Sequence, residues 1–592
     1  MALKQKIRIG DLLVQNGVIT EAQLQQALTK QKASGQRLGK MLISLGYVGE
    51  DQFLEFLSEQ LNIPFVDLRR YRFDLDVVQR LSETHARRFR AIVLSEKKGE
   101  LLVGMADPTD IYAFDALERM LQQPVQQAVI RESELLNTLD LVYRRTDEIA
   151  GFAEELDDEL TEGQFDLASL TPAADDSDAP VVKLLQSLFM DAVQVRASDI
   201  HIEPDENVLR IRQRIDGVLQ EQIVKERRIA PALVLRLKLL AGLDISEKRL
   251  PQDGRFSLKV KDRRVDVRLS TMPIEYGESV VMRLLDQTDG ATDLDNVGMA
   301  PEMLARFRKL IQMPHGLILV TGPTGSGKTT TLYGALQELN EVGKKIITVE
   351  DPVEYRLSRI NQVQINPKIG LDFSRVLRSA LRQDPDILLV GEIRDQDTAE
   401  IALRAAMTGH MVLSTLHTND AVSSAMRLID MGAESFLAAT AIRAVLAQRL
   451  VRRLCDNCAT DYLPKPRELA WIGHVMGDDM RAESDIKLMH PSGCHRCNNT
   501  GYRGRIGVFE LLVLNDDMAD ALRRADSSAF VKAARVSKGY RPLVVSAMME
   551  AFDGVTSLEE VYRVAEQIDE SGDWVLNEHR QDELLAASDN EL

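Results

Sequence analysis

Leu317-Ile318-Leu319-Val320 runs through Thr321 into Gly322-Pro323-Thr324-Gly325-Ser326-Gly327-Lys328-Thr329-Thr330, and this stretch decides the fold. Four apolar residues bounded by a glycine turn read as a short buried strand, and the residues after Gly327 open a helix. Closely spaced glycines let the backbone wrap until its N–H groups point at an anion, and the helix N-terminus adds a favourable dipole. Residues Gly322 to Thr330 are therefore a phosphate cradle. Lys328 would reach the β- and γ-phosphates of a nucleoside triphosphate, and the Thr329 hydroxyl would ligate Mg²⁺.

Hydrolysis also needs a group that orients water. Ile387-Leu388-Leu389-Val390 is a second buried-strand pattern, and it ends in Gly391-Glu392. That places Glu392 at the C-terminal end of a parallel strand, where open α/β sheets bind ligands, and marks it as the water-activating carboxylate. Ile346-Ile347-Thr348-Val349 ends in the same way, in Glu350-Asp351, with Glu354 following. From about residue 300 strands alternate with helices, the pattern of a parallel α/β core.

Upstream, Val181–Gln194 has the spacing of a helix. Alternation in Asp199–Glu203 and Leu209–Arg212 predicts a half-exposed antiparallel sheet. Residues 147–180 are rich in Asp and Glu and contain no Lys or Arg, which reads as a flexible, self-repelling linker. Before it, Ala91–Leu94, Leu101–Met105 and Val125–Val129 are strand candidates and Ile111–Leu121 a helix.

The first sixty residues repeat at an offset of 29 positions, with Arg8/Arg37, Gly10/Gly39, Leu13/Leu42, Gly17/Gly46, Leu28/Leu57 and Gln31/Gln60 matching and Leu24 aligned with Phe53. Each copy reads as two short helices around a glycine turn.

All four cysteines fall in two paired steps, Cys455-x-x-Cys458 and Cys494-x-x-Cys497, with 35 residues between them. Each pair can offer two thiolates to one tetrahedral Zn²⁺, which would be a closed and structural site; the alternative is four reduced thiols.

At 592 residues the chain exceeds one core, and usual domain sizes suggest roughly three to five domains. A formal charge of −18 disfavours broad nucleic-acid binding, so no nucleic-acid partner is expected. No segment reaches the roughly 18 uninterrupted apolar residues of a membrane helix. The basic start also lacks the apolar run of a signal peptide. The expected location is cytoplasmic, with membrane contact only through partners.

With Glu350-Asp351-Pro352-Val353-Glu354-Tyr355, Gly391-Glu392-Ile393-Arg394-Asp395 and Thr415-Leu416-His417-Thr418-Asn419 beside the phosphate loop, the chain resembles the type II secretion and type IV pilus assembly ATPases. The resemblance implies an α/β multidomain protein. Residues 1–147 would be an N-terminal tandem-repeat domain and 148–180 the acidic linker. A PAS-like α+β domain would follow at 181–290 and a RecA-like ATPase core at 291–454. The tetracysteine zinc module would span 455–510, a C-terminal helical region 511–580, and an acidic tail 581–592.

By the same resemblance Glu350, Asp351 and Glu354 match the Asp box, Glu392 the Walker B glutamate, and His410 and His417 the His box. Arg378 and Arg382 match arginines that approach the nucleotide. Arg268 and Arg283 match those that complete the site when subunits form a homo-hexamer, in which arginine suits a bidentate grip on phosphate. Gly391 stands where many P-loop enzymes carry a Mg²⁺-associated Asp. The tetracysteine module is similar to that of extension motors, which work on a fibre through an inner-membrane platform protein.

Both N-terminal copies resemble the cyclic di-GMP-binding domain of MshE-type pilus ATPases. Arg8 and Arg37 would then meet guanine or phosphate, with Gln31, Gln60 and Asp107 completing guanine recognition. The alternative is a type II secretion ATPase whose N-terminal domain only docks a membrane partner. Two other readings are a second-messenger receptor with a non-hydrolysing core and, more distantly, a nucleic-acid translocase.

Overall fold

The computed structural model describes residues 9–34, 38–68, 71, 73–97, 99–142, 146–161, 179–260, 263–286, 293–477, 486 and 488–569. The chain divides into two compact units, residues 1–150 with 494–499 and residues 151–493 with 500–592.

In the first unit the repeat becomes two helical hairpins. Helices Ile9–Gln15 and Glu21–Ser34 form one, and helices Leu38–Ser44 and Glu50–Leu61 start at the same offset of 29 and form the other. The turns pass through Gly17 and Gly46, each at φ 70°, a left-handed conformation that glycine adopts without steric cost. Gly10 and Gly39 let the helices approach closely. A β-carbon on Gly10 would meet Leu24 Cδ1 at 2.6 Å, and one on Gly39 would meet the Phe53 ring at 2.5 Å. The aligned pair Leu24/Phe53 thus does the same packing job in both copies.

Strands β1 (Ala91–Lys97), β2 (Glu100–Met105) and β3 (Val125–Val129) form a three-stranded sheet in that order, and helix Ile111–Leu121 has the expected bounds. The acidic segment departs from expectation. Its first part is the helix Thr146–Thr161, because Ile149, Ala153 and Leu156 fall on one face and are buried. The remainder of that linker, and the tail 581–592, lie outside the described residues.

The second unit opens with helix Pro180–Gln194 and a six-stranded, wholly antiparallel sheet. Its strands are β4 (Ala197–Pro204), β5 (Leu209–Ile215), β6 (Val218–Val224), β7 (Gln252–Val260), β8 (Arg263–Ile274) and β9 (Gly277–Asp286), in the order β6-β5-β4-β9-β8-β7. Burial alternates along β4 and β5 as the sequence predicts.

The central sheet has seven strands. These are β10 (Gly316–Thr321), β11 (Ile346–Glu350), β12 (Asn361–Gln364), β13 (Ile387–Val390), β14 (Met411–Leu416), β15 (Ile442–Leu454) and, after a small ladder of β16 (Ala459–Tyr462) and β17 (Leu488–Pro491), β18 (Tyr502–Val513). The order is β12-β11-β13-β14-β10-β15-β18, parallel throughout except for antiparallel β18 at the edge. Alternate residues of β10 face opposite cores, Leu317 and Leu319 one way, Ile318 and Val320 the other. A boundary at 510/511 therefore cuts a strand of this sheet, and the cysteine segment is an insertion between β15 and β18. Helices Asp516–Arg523, Ser527–Arg535, Leu543–Phe552 and Leu558–Asp569 follow. Among the described residues no helix is long and apolar enough to cross a membrane.

Candidate functional site

The phosphate loop leaves the buried end of β10, and the helix Lys328–Leu339 starts at its lysine. At Gly322, φ is 147° and a β-carbon would lie 2.5 Å from the Gln448 carbonyl oxygen, so only glycine fits where the loop turns against β15. Gln448 braces the loop: its Nε2 donates to the Ser326 carbonyl at 2.6 Å, and its Oε1 accepts from the Thr331 hydroxyl at 2.8 Å. The Ser326 hydroxyl is buried without a hydrogen-bond partner among the described residues, which leaves it available to a phosphate oxygen. Thr329 and Thr330 are exposed in the first helical turn, and Pro323, Thr324 and Gly325 are exposed in the loop. Lys328 donates to the carbonyls of Gly322 at 2.7 Å and Pro323 at 3.1 Å. Burial pushes its ammonium down to about 8, against the opposing pull of Glu392.

β13 delivers Glu392 to the same edge of the sheet. Its carboxylate lies 2.5 Å from the Arg394 guanidinium and 3.3 Å from His417 Nε2, with His417 just beyond the end of β14. The loop between is pinned by the Thr415 hydroxyl to the Gly391 carbonyl at 2.7 Å and by the Ile393 N–H to the Thr415 carbonyl at 3.1 Å. Gly391 has a steric reason: a β-carbon there would stand 3.0 Å from the Val349 carbonyl oxygen and 3.3 Å from Glu350 Cα. Backbone cannot swing aside as a side chain does, so any side chain at this point would crowd the neighbouring strand.

The acids at and after the end of β11 part company. Glu350 is buried, with its oxygens accepting from the Tyr333 hydroxyl, the Thr348 hydroxyl and Gln362 Nε2. Asp351 lies 3.9 Å from Arg394. Glu354 pairs at 2.9 Å with Arg268 of β8, which also donates to the Val353 carbonyl.

Not every expected residue converges. Arg283 pairs with Asp199 at 3.0 Å and is exposed. Arg378 and Arg382 are exposed at the helix Phe373–Ala380 and just beyond it, with Arg378 3.8 Å from Asp397 and Arg382 bonded to the Arg378 carbonyl. His410 precedes β14, whereas His417 follows it, so they lie at opposite ends of a six-residue strand, about 20 Å apart at the usual rise. The His410 ring contacts the Ala405 carbonyl at 3.0 Å.

Tyr333, Gln448 and Arg449 were not among the sequence candidates. Arg449 is buried in β15 and donates to the Asn419 carbonyl at 2.7 Å and to its Oδ1 at 3.1 Å. The available signal was a Gln-Arg pair set between the apolar runs Ala444–Ala447 and Leu450-Val451.

The four cysteines are buried, and their sulfurs all lie within 4.8 Å of one another. Cys494 and Cys497 Sγ are 3.7 Å apart. Zinc–thiolate bonds of about 2.3 Å in a tetrahedron place sulfurs roughly 3.8 Å apart, so the donor set fits zinc. In the N-terminal unit Gln60 is exposed, Gln31 is half-buried, and the Asp107 carboxylate accepts from the Thr109 N–H at 3.0 Å. Arg8 and Arg37 lie outside the described residues.

A glycine cradle opening a helix on a parallel sheet, with a carboxylate at the neighbouring strand end, is the machinery of a P-loop nucleoside triphosphatase. The comparisons narrow this class. The chain belongs to the type II/IV secretion system protein family, whose model matches residues 174–563, and an MshEN domain matches residues 61–149. The type IV pilus assembly ATPase PilB of Myxococcus xanthus is 40% identical over 560 residues, 94% of this chain and 98% of its own. Type II secretion system protein E of Xanthomonas campestris pv. campestris is 42% identical over 567 residues, with the same coverage of each chain. A solved structure of MshE with cdg is 44% identical, covering 23% of this chain and 100% of its own, at a TM-score of 0.23. The chain is an ATPase of this family with an MshE-type N-terminal part.

Proposed function

We propose that this chain is a hexameric extension motor that hydrolyses ATP to drive assembly of a pilus or secretion fibre through an inner-membrane platform protein. The observation that carries the reading is end-to-end similarity to a pilus assembly ATPase and a type II secretion E protein, with Glu392, His417 and Lys328 gathered at one sheet edge. ATP would sit on the loop Gly322–Thr330 of a RecA-like core. Lys328 and the loop N–H groups would hold its phosphates, and Glu392 would take the proton of the attacking water while His417 orients it. Mg²⁺, held by Thr329, would neutralise charge between the β- and γ-phosphates. Arg268 and Arg283 reach the nucleotide on closure of the PAS-like domain, which for Arg268 means exchanging Glu354 for phosphate; Arg378 and Arg382, exposed here, approach it in the same assembly. Zinc at Cys455, Cys458, Cys494 and Cys497 holds the insertion together.

Cyclic di-GMP at the tandem repeat regulates the motor, through Arg8, Gln31, Arg37, Gln60 and Asp107. The paired hairpins and the MshEN match support this reading. A second reading, in which the repeat docks a membrane partner, rests on the similarity to a type II secretion system protein E. Titration calorimetry of the full chain with cyclic di-GMP, beside Arg8→Ala and Arg37→Ala, separates them. Binding lost in both variants supports regulation, and no binding by a folded wild type leaves a constitutive assembly ATPase.

A further inference from the structure

Glu510 lies in β18, opposite Ala447 of β15, and only 1% of it is exposed. Its carboxylate accepts three hydrogen bonds: from the Ala421 N–H at 3.0 Å, the Leu543 N–H at 3.1 Å and the Tyr540 hydroxyl at 2.9 Å. Ala421 and Leu543 are the first residues of the helices Ala421–Asp430 and Leu543–Phe552, and both are fully buried. The first N–H groups of a helix have no partner within it, and burying them unpaired is costly. One acid therefore serves two helix starts that are far apart in sequence.

The first of those helices begins directly after His417-Thr418-Asn419-Asp420. Its Ser424 hydroxyl reaches Thr321, the residue before the phosphate loop, at 3.2 Å. Arg449 grips Asn419, and its neighbour Gln448 grips the loop at Ser326 and Thr331. A continuous set of buried polar contacts thus runs from the phosphate loop through the His417 segment to the C-terminal helices, and Glu510 is the joint between the last two.

We propose that Glu510 is a positioning residue for ATP hydrolysis, holding the start of the 421–430 helix so that His417 stays beside Glu392, and tying that placement to the 543–552 helix. The C-terminal helices can then report the state of the nucleotide, or be used to govern it. This rests on Glu392 and His417 being the hydrolytic end of the site.

The test uses full-length protein with Glu510→Gln, which keeps the shape but replaces one acceptor oxygen by a donor facing an N–H. Small displacements of a reacting group cost up to about 100-fold, so kcat should fall roughly 10- to 100-fold while the KM for ATP changes less than about threefold. Glu510→Asp should lose no less, because the shorter arm cannot span both helices. An unchanged kcat in folded Glu510→Gln protein, or a lost kcat accompanied by lost ATP binding, overturns the proposal. Glu392→Gln is run in parallel: if it hydrolyses normally, the site reading has failed instead. A wild-type measurement stands if the variants do not fold. Hydrogen exchange with and without a non-hydrolysable ATP analogue should change at the amides of Ala421 and Leu543 together, and a change at Ala421 alone overturns the coupling.

Discussion

His417 Nε2 stands 3.3 Å from Glu392 Oε2, the two side chains projecting from the ends of adjacent parallel strands β14 and β13. The other Glu392 oxygen is held by Arg394 at 2.5 Å. A carboxylate fixed from both sides has one orientation, and that is what a group aligning a water for in-line attack requires. The pairing also connects two loops far apart in sequence, so the catalytic edge exists only when the sheet is complete.

Glu392→Gln keeps the size and removes the base. Hydrolysis should fall by about 10²- to 10⁴-fold, the usual contribution of a positioned general base. Binding of a fluorescent ATP analogue should stay within a few-fold of wild type, because the phosphate contacts come from the loop. Steady-state ATPase assays with parallel binding titrations check both halves, and normal turnover would remove Glu392 from the mechanism.

Lys328 gives a pH dependence with a definite sign. Burial lowers its ammonium to about 8 in the free protein, whereas a bound triphosphate favours the charged form and raises it again. ATP binding should be level below about pH 7.5 and weaken above pH 8, approaching tenfold per pH unit. Proton uptake accompanies binding in that range. Calorimetry at pH 8.5 in buffers of different ionisation enthalpy measures the uptake directly, and Lys328→Arg should abolish the pH dependence.

The phosphate loop, Glu392 and the paired cysteines were legible in the sequence because each is a local signal: residue types at short fixed spacings whose chemistry needs no distant partner. The helical repeat was legible for the same reason, its glycines recurring in step with the apolar residues. Tyr333, Gln448, Arg449 and Glu510 were not, because their meaning lies in contacts across 17 to more than 100 positions of chain. The 146–161 helix was hidden by its charge, which outweighed the spacing of Ile149, Ala153 and Leu156. His410 misled in the opposite way, since a strand of six residues carries it to the far end of the sheet from His417.

The cysteine cluster predicts a metal content. Protein purified without chelator should contain about one zinc per chain, the capacity of a four-thiolate site. Replacing one knuckle, Cys494→Ser with Cys497→Ser, should remove the metal and lower the thermal midpoint, because binding free energy at a structural site is folding free energy. Metal analysis and calorimetry of the two proteins test this, and a zinc-free wild type with an unchanged midpoint would leave four structural thiols.

Gly39 tests the packing of the N-terminal hairpins. A methyl there meets the Phe53 ring at 2.5 Å, and overpacking of that kind costs about 1–3 kcal/mol. Gly49, by contrast, faces open space at the N-cap of the next helix, where alanine meets no clash and loses only the cap preference, on the order of 0.5–1 kcal/mol. In the full chain Gly39→Ala should therefore speed hydrogen exchange through residues 38–61 by more than Gly49→Ala does. The cost belongs to the contact rather than to helix propensity, since alanine is the better helix former. Truncating the ring should then relieve it: Gly39→Ala combined with Phe53→Ala should destabilise by less than the sum of the two single changes. Strict additivity would mean that the close approach of these helices is not what the glycine provides.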